Sequence, residues 1–176
     1  GGRLTMEDAY AYSKFARTVL GTNDIDFRTR PASPEEDAFL GFVVAGSGRG
    51  VTYGDLEKAG HVLAVGFEAE EECGSVFLRL RKAVLAKTTS VSVVAPYATA
   101  GSAKMNANFI PAVPGTEAAI LDGLDAGDPV YDGLADGGII LVGERAAESE
   151  GALSAARSLA DRSGARLAWI PRRAGD

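Results

Sequence analysis

Short, mostly apolar runs alternate along this chain with longer stretches in which apolar residues recur every three or four positions. The apolar runs lie at residues 61–65, 91–95, 139–142 and 166–170. Runs of this length are typical of strands that are buried on both faces of a sheet. We therefore predict a strand at each of the four runs, with Pro96 ending the second one.

The stretches between these runs have the apolar spacing of amphipathic helices. We predict helices at residues 6–20, 35–45, 71–87 and 146–163, and a short one that opens at Gly115-Thr116-Glu117. Thr5 stands at the N-cap position of the first helix, and Gly21 ends it. Because apolar strands alternate with helices, the predicted fold class is α/β, a parallel sheet with helices on both faces.

The length and composition agree with one buried core. The chain has 176 residues, of which 46% are hydrophobic. A chain of this size most often forms a single domain. Both ends have the character of cuts inside a longer protein, so we expect residues 1–176 to form a single α/β fragment of a larger domain.

Charge and residue usage disfavour several classes of function. The formal net charge of −6 argues against a nucleic-acid partner, because an acidic surface does not attract phosphate backbones. Apolar runs fall short of the roughly 20 residues that a membrane helix needs, so we expect no direct membrane insertion. Cys73 and His61 are the single cysteine and the single histidine of the chain. They permit neither an internal disulfide nor a cysteine-only metal site, and neither residue has the surroundings of a catalytic group.

The glycine-rich stretch VVAGSGRG at residues 43–50 raises the question of a nucleotide-binding loop. A dinucleotide fingerprint needs Gly-x-Gly-x-x-Gly between a strand and a long helix. If Gly46 and Gly48 are the first two glycines, the third position is Val51. The preceding residues have a helical pattern, and those that follow offer one or two helical turns. We favour a flexible connection over a phosphate-binding loop, and nucleotide binding stays open as an alternative.

Loops at the carboxyl ends of parallel strands are the usual ligand sites in open α/β sheets. The loop after the first strand carries four glutamates within residues 68–72, which would repel a phosphate. These acids also suit the start of a helix. The loop at residues 95–99 has no charged group, and Thr116 or Glu117 could either cap a helix or bind a base. We expect crowded carboxylates at this edge, with no cationic or thiol anchor.

Four segments together resemble a known family. They lie at residues 4–28, 61–72, 111–121 and 141–176, and include LTMEDAYAYSKFARTVL, HVLAVGFEAEEE and PAVPGTEAAIL. The chain resembles, over nearly its whole length, the carboxyl-terminal, molybdopterin-oxidoreductase-like region of the G subunit of bacterial NADH-quinone oxidoreductase, respiratory complex I.

The resemblance implies the α/β fold of the molybdopterin oxidoreductases, which formate dehydrogenase, DMSO reductase and nitrate reductase share. It implies iron–sulfur clusters in domains upstream of this region, and a scaffold that has lost its molybdenum cofactor. It further implies a place in the peripheral arm on the cytoplasmic side of the bacterial inner membrane, where electrons pass from NADH to quinone. The partners would be other peripheral-arm subunits, and this segment would hold no cofactor, no metal and no catalytic residue.

Departures from the family's motifs agree with the loss of the molybdenum cofactor. Active pterin enzymes resemble Asn-Asn-x-Asp-x-x-x-Arg-x-Cys after the first helix, and here Arg28 is followed by Thr29-Arg30-Pro31, without the cysteine of that motif. Ala95-Pro96-Tyr97 stands where the family has Asp-Pro-Arg, and Pro114-Gly115-Thr116-Glu117 resembles Pro-Gly-Thr-Asp. The vestigial pterin-site positions implied by the resemblance are Asn23, Asp26, Glu68, Thr116 and Glu117.

Three hypotheses follow. The first is a non-catalytic structural module of the complex I protein. The second is part of an active molybdopterin-dependent dehydrogenase, such as formate dehydrogenase. The third is a stand-alone nucleotide-binding domain that uses Gly46–Gly50.

Overall fold

A computed structural model describes residues 5–25, 33–46 and 50–171 of the chain. The chain forms two compact units, one made of Gly1–Pro31 with Pro171–Asp176 and the other of Ala32–Ile170. The sheet and the helices that cover it all belong to the second unit. That residues 1–176 form one fragment of a larger domain stays a prediction.

The first unit contains helix α1, Met6–Thr18. Thr5 caps it as predicted, since its hydroxyl accepts a hydrogen bond from the backbone N–H of Asp8 at 3.1 Å. The helix ends two residues earlier than the predicted 6–20, and Gly21 follows with φ +68°. None of the residues of α1 is buried.

The second unit is built on a sheet of five parallel strands in the order β3-β2-β1-β4-β5. The strands are β1 His61–Val65, β2 Ser90–Ala95, β3 Asn108–Pro111, β4 Ile139–Gly143 and β5 Arg166–Ile170. Four of them are the predicted strands. The α/β prediction of a parallel sheet is therefore confirmed.

The fifth strand, β3, was not predicted: it lies between Pro96, the predicted end of the second strand, and Gly115, where a short helix was predicted to open. β3 is four residues long, exposed at both ends and only half-buried between them. A strand of this kind lacks the continuous apolar run by which the other four strands were predicted.

The helices of the second unit are short apart from two of twelve residues. They are α2 Pro34–Ala38, α3 Tyr53–Leu56, α4 Ala69–Glu72, α5 Gly74–Leu85, α6 Ala100–Lys104, α7 Glu117–Asp122, α8 Pro129–Ala135 and α9 Ala152–Ser163, with a π-helix at Phe39–Val44 after α2 and a 3-10 helix at Glu144–Glu148 before α9. Of the helices in the described part of the chain, none has both the length and the apolar character that a bilayer crossing requires.

Two predicted helices are each divided in the structure. The stretch predicted at 71–87 is α4 and α5, separated at Cys73 by a non-helical backbone conformation (φ −150°, ψ 82°). The stretch predicted at 146–163 is the 3-10 helix and α9, separated by Gly151 at φ +79°. The prediction at 35–45 holds as a helical stretch, although its second part is a π-helix. α8 was missed altogether.

Helices cover both faces of the sheet, as the sequence pattern predicts. On one face Leu63 and Ile140 pack with side chains of α7, α8 and α9, whereas on the other Val62 and Leu141 pack with side chains of α3, α4 and α5. Neighbouring residues of a strand point to opposite faces, so both faces need apolar side chains. This explains why β1 and β4 are buried along their full length.

A carboxylate from α2 caps α9. Glu35 accepts hydrogen bonds from the backbone N–H groups of Gly151 (2.9 Å) and Ser154 (2.8 Å) and from the Ser154 hydroxyl (2.7 Å). α9 has no capping side chain of its own. Glu35 thus satisfies N–H groups at a helix start more than a hundred residues away in sequence.

Candidate functional site

A cavity of about 410 Å³ lies at the carboxyl edge of the sheet. The strand order reverses between β1 and β4, and ligands bind outside the carboxyl ends of strands at such reversals in open α/β sheets. The residues that line the cavity come from the ends of β1, β2 and β4 and from the start of α7: Gly66, Phe67, Glu68, Val93, Val94, Ala95, Pro96, Tyr97, Thr99, Pro114, Gly115, Glu117, Arg145, Ala146, Glu148 and Ser149.

Close backbone contact between the ends of β1 and β4 shapes one wall of the cavity. Gly66 has φ +59°, and a Cβ atom there would lie 2.3 Å from the backbone nitrogen of Ala146. Both this left-handed conformation and this contact require glycine. The chain after β1 therefore stays against the chain that leaves β4.

Glu68 lines the cavity, but its carboxylate is held by neighbouring residues. It is the N-cap of α4, with Oε1 3.4 Å from the backbone nitrogen of Glu70. Its Oε2 accepts a hydrogen bond from the Thr99 hydroxyl at 2.5 Å. Gly101 leaves room for it, since a Cβ atom at that position would lie 2.2 Å from Glu68 Oε1. Glu68 joins the loops after β1 and β2.

Glu117 also lines the cavity, and its carboxylate stabilises its own loop. The backbone N–H of Gly115 donates to Glu117 Oε2 at 2.8 Å. Thr116 stands at the N-cap position of α7, but its side chain makes no capping hydrogen bond; its hydroxyl donates to the carbonyl of Val113 at 2.7 Å. Thr116 is not among the lining residues.

Of the vestigial positions, the structure brings Glu68 and Glu117 to one cavity. Asn23 belongs to the first unit, where its side-chain oxygen accepts a hydrogen bond from Arg17 Nε at 3.1 Å. Asp26 lies outside the described residues. Their assignment as former pterin-site residues stays a prediction.

The segment after β4 brings three polar residues to the cavity that the sequence analysis missed: Arg145, Glu148 and Ser149. The expectation of no cationic anchor at this edge is wrong, because Arg145 lines the cavity. Its Nε lies 2.9 Å from Glu72 Oε1, on a carboxylate side chain that is 6% exposed. Applying the strand-end rule to the residues after β4 would have found all three.

The described residues on either side of the glycine stretch do not have the geometry of a dinucleotide-binding loop. The residues before it form the π-helix Phe39–Val44 rather than a strand, and α3 after it has four residues. Gly46 lies against the end of the π-helix, since a Cβ atom there would lie 2.5 Å from the carbonyl oxygen of Phe42. Gly48 lies outside the described residues.

The residues of the cavity do not fit the phosphate groups of a pterin cofactor. A phosphate needs free backbone N–H groups and little negative charge nearby. Here the Glu68 and Glu117 carboxylates accept from the N–H groups of Glu70 and Gly115. Three carboxylates line the cavity, and its single guanidinium, Arg145, is already paired.

A metal centre is not evident either. Within residues 5–25, 33–46 and 50–171, no group of three or more His, Cys, Asp or Glu side chains is placed to hold a metal ion. Cys73 is a free thiol whose Sγ lies 3.4 Å from Ser75 Oγ, and it is not among the lining residues of the cavity.

Comparison with known proteins identifies the relatives of the chain. No protein-family model matches it. The G subunit of the NADH-quinone oxidoreductase of Mycobacterium tuberculosis is 58% identical over 177 residues, which cover 100% of the chain and 22% of that protein. The chain is homologous over its whole length to the G subunit of NADH-quinone oxidoreductase. The corresponding protein of Streptomyces coelicolor is 50% identical over 198 residues, which cover 100% of the chain and 24% of the relative. The resemblance to this family is thereby confirmed, and the chain spans about a quarter or less of the relatives' length.

A more distant relative bears on the fold. The F420-dependent formate dehydrogenase 1 subunit alpha of Methanococcus maripaludis is 30% identical over 122 residues, which cover 69% of the chain and 18% of that protein. This similarity, together with the parallel sheet, confirms the prediction of a molybdopterin-oxidoreductase-like fold for the chain.

Proposed function

We propose that the chain is a non-catalytic structural module of the G subunit of NADH-quinone oxidoreductase. It belongs to the peripheral arm, on the cytoplasmic side of the bacterial inner membrane, where electrons pass from NADH to quinone. Its partners are other peripheral-arm subunits, and the iron–sulfur clusters of the full-length protein lie in domains upstream of it. The identity of 50–58% to the G subunit along the whole chain supports this proposal.

The chemistry of the cavity supports a structural rather than a catalytic role. Glu68 and Glu117 are engaged in joining loops: one accepts from Thr99 and the other from Gly115. Because these carboxylates hold together the loops that surround the cavity, they support a structural role at the carboxyl edge of the sheet.

An active pterin-dependent dehydrogenase is the main competing function, since a formate dehydrogenase protein is 30% identical over part of the chain. The cavity would need N–H donors and cations for the cofactor's phosphates. It offers carboxylates and engaged N–H groups instead. The structural module accounts better for these residues.

Purification through a tag on this chain tests the assignment. In the organism that encodes it, the tagged chain should co-purify with several other subunits and with NADH-quinone oxidoreductase activity. A tag on an unrelated protein of similar abundance is the control. Recovery of the chain alone, or with formate dehydrogenase activity in place of NADH oxidation, would contradict the proposal.

A further inference from the structure

We propose that the cavity at the carboxyl edge of the sheet receives a basic side chain, an arginine or a lysine, from a neighbouring protein subunit. The proposal rests on the proposed function only for the identity of that neighbour as a component of complex I. The preference for a cation follows from the cavity itself.

The charges that line the cavity favour a cation. Glu68, Glu117 and Glu148 contribute three carboxylates, and Arg145 contributes the one cationic side chain among the lining residues. Arg145 does not offset them, because it is paired with the nearly buried Glu72 carboxylate at 2.9 Å. An anion would be repelled by these carboxylates, whereas an ammonium or guanidinium group would be attracted to them. A carboxylate has about four acceptor sites, so Glu68 and Glu117 can accept from a cation in addition to the hydrogen bonds that hold their loops.

A buried hydroxyl is a second, independent indication of a ligand. Ser149 lines the cavity and is 4% exposed. Its Oγ is buried, and no described residue gives it a hydrogen-bond partner. Buried polar atoms in folded proteins are nearly always hydrogen-bonded. The hydroxyl can accept a hydrogen bond from the N–H groups of a guanidinium or an ammonium, which have no acceptor to offer in return.

The size and mouth of the cavity suit a side chain. Its volume of about 410 Å³ is near the lower end of ligand pockets, which span about 300–1,000 Å³. Tyr97 lines it and is 66% exposed, so its ring can contact the side chain of an incoming residue. Arginine in particular stacks on aromatic rings. The cavity is thus suited to a residue presented from outside.

Titration of the isolated 176-residue chain with two peptides tests the preference for a cation. The probe is acetyl-Gly-Arg-Gly-amide, and the control is the same peptide with neutral citrulline in place of arginine. In NMR spectra, only the arginine peptide should shift the backbone amides of residues 66–68, 97 and 145–149, and added salt should weaken the effect.

Variants locate the binding in the cavity. Glu148→Gln should lower the affinity for the arginine peptide about threefold, as expected for a partly exposed charge pair. Ser149→Ala should lower this affinity about fivefold, in the range of one hydrogen bond. Glu71→Gln, on the exposed side of α4 and outside the cavity lining, is the matched control and should leave the affinity unchanged.

Cross-linking in the assembled complex identifies the source of the cation. A photoreactive phenylalanine analogue in place of Tyr97 should cross-link to a segment of another subunit that contains an arginine or lysine. The same analogue in place of Leu78, which is 62% exposed on α5 and outside the cavity lining, is the control.

The peptide titration and the cross-linking experiment together distinguish failure of this proposal from failure of the proposed function. Equal shifts from both peptides, or shifts that Glu148→Gln and Ser149→Ala leave unchanged, would overturn the proposal. A complex that assembles with NADH-quinone activity but gives no Tyr97 cross-link to a basic segment would also overturn it. If the chain does not enter such a complex, the proposed function fails, and the peptide titration still decides the preference for a cation.

Discussion

Replacing Glu35 with alanine removes the acceptor that caps α9 from a distant part of the chain. The carboxylate accepts three hydrogen bonds, two from backbone N–H groups and one from the Ser154 hydroxyl. Loss of an N-cap side chain costs about 0.5–2 kcal/mol of stability. Loss of a negative charge at a helix N-terminus adds about 0.3–1 kcal/mol at an exposed site. We expect Glu35→Ala to lower the free energy of unfolding by about 2 kcal/mol.

The pH dependence separates the charge from the shape of the side chain. Burial raises the pKa of Glu35, but the hydrogen bonds from Ser154 and Gly151 lower it, and the net pKa lies below its ordinary value of 4.5. A carboxyl with a lowered pKa contributes stability above the unfolded pKa and loses it as the pH falls through the folded pKa. The difference between wild type and Glu35→Ala should therefore be full at neutral pH and shrink below 4.5.

Urea unfolding of both proteins, at neutral and at acid pH, measures this difference. Glu35→Gln, which retains one acceptor but no charge, should fall about 1 kcal/mol below wild type at neutral pH. Asp37→Ala removes an exposed acid from the same helix and should change stability by less than about 0.5 kcal/mol. A Glu35→Ala effect no larger than that of Asp37→Ala, or one that grows in acid, would refute the capping role.

Three further predictions concern the core, the site and the single histidine. Leu141→Ala, at a fully buried position in β4, should lower the unfolding free energy by about 2–5 kcal/mol, and a loss under about 1 kcal/mol in urea unfolding would contradict the packing. Gly101→Ala should displace the Glu68 carboxylate and lower the free energy of unfolding by about 1 kcal/mol. Its control is Gly74→Ala, where an added Cβ has nothing within 4 Å and should leave stability unchanged or raise it; equal melting temperatures of the two variants would count against the Glu68 contact. Burial lowers the pKa of His61, although nearby Asp128 opposes this, so the stability that depends on His61 should be full above pH 6.5 and decline as the pH falls below it. A His61→Asn variant should lack this decline, and parallel plots of unfolding free energy against pH for the two proteins would exclude the histidine as its cause.

Four of the five strands could be predicted because their signal is local. β1, β2, β4 and β5 are mostly apolar runs, and the burial of β1, β2 and β4 inside a parallel sheet requires such runs. β3 gave no comparable signal, since it has four residues, of which only Phe109 and Ile110 are even half-buried. The short helix α8 was missed because only Val130 and Leu134 of its seven residues are buried.

The candidate site could be predicted only in part, because the order of the strands in the sheet decides which residues line the same cavity. Glu68 and Glu117 were found from the loops that follow individual elements. Arg145 and Ser149 reach the same cavity because β4 lies directly beside β1, which the sequence pattern does not specify. The Glu35 cap is a long-range contact of the same kind, since a glutamate in the first turn of a predicted helix looks like a contribution to its own helix.

The molybdenum content of the purified native complex tests the central claim most directly. The complex should be isolated through a tag on this chain and its metal measured per tagged chain by mass spectrometry. We predict a molybdenum content no higher than that of an untagged control, because the carboxylate-lined cavity does not fit a pterin's phosphates. The same preparation should have NADH-quinone oxidoreductase activity. Stoichiometric molybdenum, lost in a Gly101→Ala variant that disturbs the cavity wall, would contradict the structural-module account.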